Sequence, residues 1–298
     1  MRTRQRVSAG PVVGLLALAV VACAPRTVVP PPSRPIPMPV PAPAPVVEVT
    51  PTRFSIPALV TDTRYALESR TTLVRDSAGR REEQEVTSEA QATVRYRRTP
   101  SGGLSGTGRL SHYTVTSGFS STPVRVDSLG FDVTLDDVWL RVMPVPALIN
   151  ECDRPETSAL ALVRDVLLRI PASVAVGDSW QDSTVQVVCR SNVALVMRTT
   201  HRYTVADSGR RNGATQLVIR RTSQSRLEGK TATAWRSIDI RGTGEGTLDA
   251  RVSMNSGAVE QVESTSTLTL TVSDRTSSTS LRTQQVTQRV TLRARVVD

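Results

Sequence analysis

His112 and His201 are the only histidines in this 298-residue sequence, and Cys23, Cys152 and Cys189 are the only cysteines. A hydrolytic triad needs a nucleophile, a base and an orienting group. Serine and threonine are everywhere, but the base candidates are confined to Leu110-Ser-His-Tyr113 and Thr200-His-Arg-Tyr203. Both segments read as strand, and a strand histidine on a polar face explains each without catalysis. No GxSxG elbow, Walker loop, HExxH or EF-hand loop occurs. Glu82-Glu83 and Asp136-Asp137 are adjacent acids, and neighbours on a strand point to opposite faces, so neither pair makes a general acid and base. Two histidines and no CxxC leave no multi-histidine or zinc-finger centre. No catalytic residue, metal ligand or cofactor is assigned.

The first 22 residues have the form of a secretion signal. Arg2, Arg4 and Arg6 precede an apolar run from Val12 to Val21, which is too short to span a bilayer as a helix. The run ends in Val20-Val21-Ala22-Cys23, which resembles the lipobox of bacterial lipoproteins. The resemblance implies cleavage before Cys23 and acylation of that cysteine, so that the membrane partner is reached through Cys23. Ala24, not Asp, follows the cysteine, a pattern similar to that of lipoproteins sent to the outer membrane, here facing the periplasm. Several acyl chains make a lasting anchor, since each buried methylene contributes about 0.8 kcal/mol. With Cys23 assigned to lipid, Cys152 and Cys189 are left in an oxidising compartment, where a disulfide across 189 − 152 = 37 residues is expected. A free thiol or a zinc pair has no supporting ligand spacing.

Residues 23–57 read as the acylated cysteine and a linker, with eleven of the nineteen prolines lying between Pro25 and Pro51. Such a run favours polyproline II at about 3.1 Å per residue, a spacer of roughly 80 Å. Net charge is +10, and falls to +7 once Arg2, Arg4 and Arg6 leave with the signal. The arginines are spread along strands and aromatics are few, so no nucleic-acid partner is expected.

From residue 58 to 298 the sequence repeats one theme: ten to fifteen residues rich in Thr, Val, Ser, Leu and Arg, then a short polar break. Leu268, Leu270 and Val272 share one face with threonines between them, and Val290, Leu292, Ala294 and Val296 alternate with Arg289, Thr291, Arg293 and Arg295. Alternation with period two marks antiparallel strands with one buried side. Eleven are expected, near 63–75, 84–98, 106–118, 124–142, 179–190, 193–206, 213–228, 231–242, 244–254, 258–273 and 280–297. Turn residues at 77–79, 101–103, 207–209, 228–229 and 255–257 support the joints. Residues 156–170 break the theme. Leu160, Val163, Leu167 and Ile170 fall at helical spacing, Asp153 or Thr157 could cap, Pro155 suits the first turn and Pro171 stops the far end. The spacing predicts an amphipathic helix lying on the sheet.

Pro171 followed by Val176-Gly-Asp-Ser-Trp180 resembles a segment of a family of uncharacterised bacterial lipoproteins, with Gly177 and Asp178 suited to a tight turn and Trp180 entering the apolar face. More loosely, an acylated anchor, some eleven strands and a helix resemble the LolA, LolB and LppX-like half-barrel carriers, whose concave face takes acyl chains. The fold class expected is mainly β: a large antiparallel curved sheet or open half-barrel of about eleven strands with one covering helix. The function expected is non-catalytic, binding or envelope scaffolding, with a lipidic or hydrophobic ligand on the concave face. Leu268, Leu270, Val272, Val290 and Leu292 line a cavity there or are simple core. The alternatives are an interaction module that meets an envelope protein at a sheet edge, and a hydrolase without a recognisable motif.

Overall fold

A computed structural model describes residues 52–297, apart from residues 78, 119, 137, 148–151, 153, 191–192, 212, 234 and 277–280. The signal, Cys23, residues 24–51 of the expected linker, Asp137 and the candidate cap Asp153 lie outside the described residues, whereas residues 53–55 of that linker form a strand paired with residues 173–175 and Ile56 is buried.

Along the chain run β1 (Arg53–Ser55), β2 (Leu59–Ser77), β3 (Arg80–Arg98), β4 (Leu104–Ser117), β5 (Ser120–Asp136) and β6 (Trp139–Val145). Helix α1 (Pro155–Ala161) and a 3-10 turn (Arg164–Val166) follow, then β7 (Ser173–Ala175) and β8 (Ser179–Arg190). The chain closes with β9 (Val193–Arg211), β10 (Ala214–Ala232), β11 (Arg236–Ser253), β12 (Val259–Thr276) and β13 (Leu281–Val296). Eleven of these strands form one closed barrel, and β1 with β7 make a separate two-stranded pair.

The mainly-β class holds, but the open half-barrel does not. The last strand returns to the first: β13 pairs antiparallel with β2 from Gln285 opposite Asp76 to Val296 opposite Tyr65. Closure satisfies backbone groups that an open sheet would leave at two edges. Period-two alternation is the same in a half-barrel and a barrel, which is why it does not tell them apart.

The strand count of eleven survives through two compensating differences. The stretch expected as one strand over 124–142 divides into β5 and β6, while 231–242 and 244–254 join into the single strand β11. Glycines at Gly242, Gly244 and Gly246 look like a break in sequence, yet they continue the inward row of β11. A Cβ at Gly242 or Gly244 would collide with Leu270 or Leu268 of β12, so bare backbone here lets those leucines lie flat on β11. Residues 207–209 and 228–229 are likewise inside strands β9 and β10, whereas Gly79, Gly102 and Gly257 do turn the chain with positive φ.

The outer face is polar on β3 and β13, whereas Trp139, Met143 and Val145 of β6 and Val187 of β8 are apolar and exposed. Arg289, Thr291, Arg293 and Arg295 of β13 and Glu85, Glu89, Gln91, Arg95 and Arg97 of β3 are exposed along most of both strands. An outward apolar band of the kind that spans a bilayer does not form on either.

The expected covering helix is also revised. Residues 156–170 divide into α1, a turn and the 3-10 segment, and they lie within the closed barrel. Pro155 occupies the start of α1 as expected, and its backbone cap is Arg154. Helix α1 packs on β4, β5 and β6, while the 3-10 turn reaches β12 on the opposite wall. Leu160, Val163, Val166, Leu168 and Ile170 are all at most 2% exposed, so this segment plugs one end of the barrel. The shorter helix follows from that role, because a rod cannot both cross the barrel and bury side chains on every side.

One seam is nearly unpaired. Strand β6 has seven residues and meets β8 at a single parallel pair, Trp139 with Val185, where Val185 N donates to Val138 O at 2.6 Å. Past β6, α1 lies against β5. A disulfide between Cys152 and Cys189 ties the start of this helical segment to the end of β8.

Candidate functional site

The inward rows of the barrel have three zones. On β10 the sequence of inward residues is Leu217, Ile219, Arg221, Ser223, Ser225, Leu227, and on β12 it is Val262, Ser264, Ser266, Leu268, Leu270. On β9, running the other way, it is Val193, Leu195, Met197, Thr199, His201, Tyr203, Val205. Apolar layers thus flank a waist of hydroxyls, to which β11 adds Gly242, Gly244 and Gly246. Leucine at these positions would fill the barrel. Serine, threonine and glycine leave it hollow, and a cavity of about 660 Å³ occupies the waist and the wall above it. Of the five residues named from sequence as a cavity lining, Leu268, Leu270, Val290 and Leu292 face this space; Val272 is half-buried beyond it.

The helical segment supplies the polar floor. Asp165 Oδ1 accepts from Arg221 Nη2 at 2.8 Å, and Oδ2 accepts from Ser264 Oγ at 2.8 Å. Burial works against the Asp165 carboxylate, but Arg221 and Ser264 outweigh it and hold its pKa below the ordinary value. A smaller cavity of about 50 Å³ lies behind, between Asp165, Asp182, Arg169 and His201. Arg169 Nε stands 3.1 Å from Asp182 Oδ2, yet burial of Asp182 outweighs the arginines and pushes its pKa up to about 6.

The two histidines part company. His112 is exposed, at φ 54, where β4 slips against β3. His201 is 8% exposed and does not sit on a polar outer face. Its Nε2 pairs with Thr184 Oγ1 at 3.0 Å and its Nδ1 with Ser223 Oγ at 2.9 Å. Burial first, then the Arg221 charge, push its pKa down to about 3, against the pull of Asp165. Sequence reasoning missed this cluster; its only signal was the hydroxyls and charges recurring at inward positions of β8, β9, β10 and β12.

These shifts oppose one another in pH. His201 is neutral when folded and protonates near pH 6.5 when unfolded, so its share of stability is lost as pH falls from about 6.5 towards 3. Asp182 holds its proton to about pH 6 when folded but only to about 3.9 when unfolded, so its share grows as pH falls through that window. Each uncompensated proton is worth about 1.4 kcal/mol per pH unit. Their sum is expected to leave stability nearly flat between about pH 4 and 6. Asp182→Asn should lose stability on acidification over that range and His201→Gln should gain it, at about that slope; urea titrations at a series of pH values read both. Parallel curves for the two variants would refute the opposition.

The Val176-Gly-Asp-Ser-Trp180 segment makes the tight turn expected of it. Gly177 has φ 90, Asp178 N donates to Ala175 O at 3.0 Å, and Asp178 Oδ2 accepts from Ala175 N at 2.9 Å. Trp180 Nε1 donates to Arg169 O at 3.1 Å, and its ring stacks on Tyr203 at 5.0 Å. The turn therefore helps hold Arg169 at the back of the floor. Among the described residues, no group of three or more His, Cys, Asp or Glu is placed to hold a metal ion.

No family model and no curated protein matches the sequence. Among solved structures, the crystal structure of Pseudomonas aeruginosa OpdQ aligns at 6% identity over 80% of this chain and 100% of that one, with a TM-score of 0.20. A likeness at that score carries no argument about this chain, whose reading rests on its own lumen.

Proposed function

We propose that this chain is a lipid-anchored protein of the bacterial cell envelope that holds a hydrophobic or amphiphilic ligand inside its barrel, without catalysing a reaction. The observation that carries the reading is the hollow of about 660 Å³ with a charged floor and leucine, methionine and valine walls. It is in the size range of small-molecule sites, which are mostly apolar with a few placed polar groups. The anchor at Cys23, the spacer and the outer-membrane, periplasm-facing location are the sequence reading, and the polar outer faces of β3 and β13 suit strands held in water.

The alternatives are less well served. A partner reading a sheet edge needs an edge, and closure leaves one at the β6 and β8 seam, where the two strands share a single pair. A hydrolase would use His201 beside Ser223, but a histidine held neutral down to about pH 3 is a weak base at neutral pH.

The test is organic extraction and mass spectrometry of the chain from Ala24 onward, which lacks the acylated cysteine and contains every element of the barrel. Lipid co-purifying with the protein is the expected result. A barrel that emerges without lipid and takes up no hydrophobic fluorescent probe refutes the reading.

A further inference from the structure

We propose that Arg164 is the head-group receptor of the lumen, binding the carboxylate of a single-chain anionic amphiphile of the fatty-acid class whose tail runs along Met197, Leu195, Leu268 and Val290. This rests on the ligand-holding reading above and narrows it to one chemical class.

The first argument is the charge balance of the floor. The Asp165 oxygens are committed to Arg221 and Ser264, and Asp182 stands with Arg169. Among the described residues no carboxylate forms an ion pair with Arg164. Among the described residues its Nε is buried without a hydrogen-bond partner, and its Nη2 donates to the Val187 carbonyl at 3.4 Å. A buried cation so placed is costly unless something anionic joins it. Burial lowers its pKa to about 10, with Asp165 opposing the shift, so the guanidinium stays charged at neutral pH.

The second argument is position. Arg164 opens the 3-10 turn and lines both the main cavity and the small one behind it, so a head group on it has the hydroxyl waist around it and the apolar wall above. A guanidinium offers the planar fork that suits a carboxylate.

The third argument is size. If a methylene takes about the space of a water molecule in the liquid, roughly 30 Å³, then 660 Å³ holds about twenty non-hydrogen atoms. One long acyl chain with its carboxylate fits that number. Arg190, the other lumen arginine without a carboxylate, donates to Gln288 Oε1 at 2.7 Å and is less enclosed than Arg164, which makes it the comparison residue.

The test uses 11-(dansylamino)undecanoic acid and its methyl ester, titrated by fluorescence into the chain from Ala24 onward. The acid is expected to bind 10- to 100-fold tighter than the ester, the discrimination of a charge-assisted hydrogen bond in a buried site. Arg164→Gln should bring the acid to the affinity of the ester and leave the ester within about two-fold. Arg190→Gln should keep most of the preference for the acid. Equal binding of acid and ester by the unaltered protein overturns the head-group assignment while the lumen reading stands, and that comparison needs no variant to fold. A preference lost in Arg190→Gln and kept in Arg164→Gln also overturns it. If neither probe binds, the lumen reading and the assignment fail together.

Discussion

Asp165→Asn is expected to lower the stability of the barrel by about 3–5 kcal/mol, the range for removing one partner of a buried ion pair. The amide keeps the shape of the carboxylate but strands a cation. Burial acts against the Arg221 charge, and its raised pKa depends on Asp165 and Tyr203 to outweigh that burial. Ser264 loses an anionic acceptor in the same change. Arg221 on β10 and Ser264 on β12 stand on the same wall, either side of β11, so Asp165 joins the helical segment to two strands at once. Asp165→Leu combined with Arg221→Met should recover most of the loss, since apolar groups of similar volume leave nothing unpaired. Urea denaturation of the two variants beside the parent reads the difference. A double variant as unstable as the single one would show that the pair itself, and not the stranded charge, supplies the stability.

Replacing Cys152 and Cys189 by serine is expected to cost about 3–4 kcal/mol, the chain-entropy value for a closed loop of this length. That loop holds the whole plug: α1, the 3-10 turn, β7 and nearly all of β8 lie between the two cysteines. The bond also fastens β8, one side of the seam where β6 and β8 share one pair, so releasing it loosens the wall at its least hydrogen-bonded place. The serine variant should therefore lose stability and also exchange the backbone amides of α1 and of the seam faster than those of β9 to β13. A denaturation midpoint and hydrogen exchange, each compared with the oxidised protein, provide the check. Uniform exchange throughout the barrel would mean that the seam is not a separately opening unit.

The floor and the disulfide have different legibility in the sequence. The cysteines were readable as a pair because an odd count became even once Cys23 was set aside, a matter of arithmetic and compartment. Asp165 was not readable as a buried acid, because in sequence it is one polar residue on an amphipathic segment and solvent is its default. Only the barrel wall, by closing over it, put Arg221 and Ser264 at 2.8 Å. His201 shows the same limit. Its strand was identifiable, but which face of that strand looks inward depends on the register of β9 with β8 and β10.

What the sequence determined by itself is what period-two patterning, turn residues and local motifs encode. Long antiparallel strands, the turn at Gly177 and Asp178, the start of a helix at Pro155 and the alternation of β12 and β13 are all local, set by side chains within a few residues of one another. What only the tertiary structure decided is non-local. Whether β13 meets β2 depends on the tilt and number of every strand between them, and whether the inside is filled depends on small residues from many strands arriving at one level. A serine on β10 and a serine on β12 say nothing separately about a cavity; it is their common height in the closed barrel, on either side of Gly246, that makes the hollow.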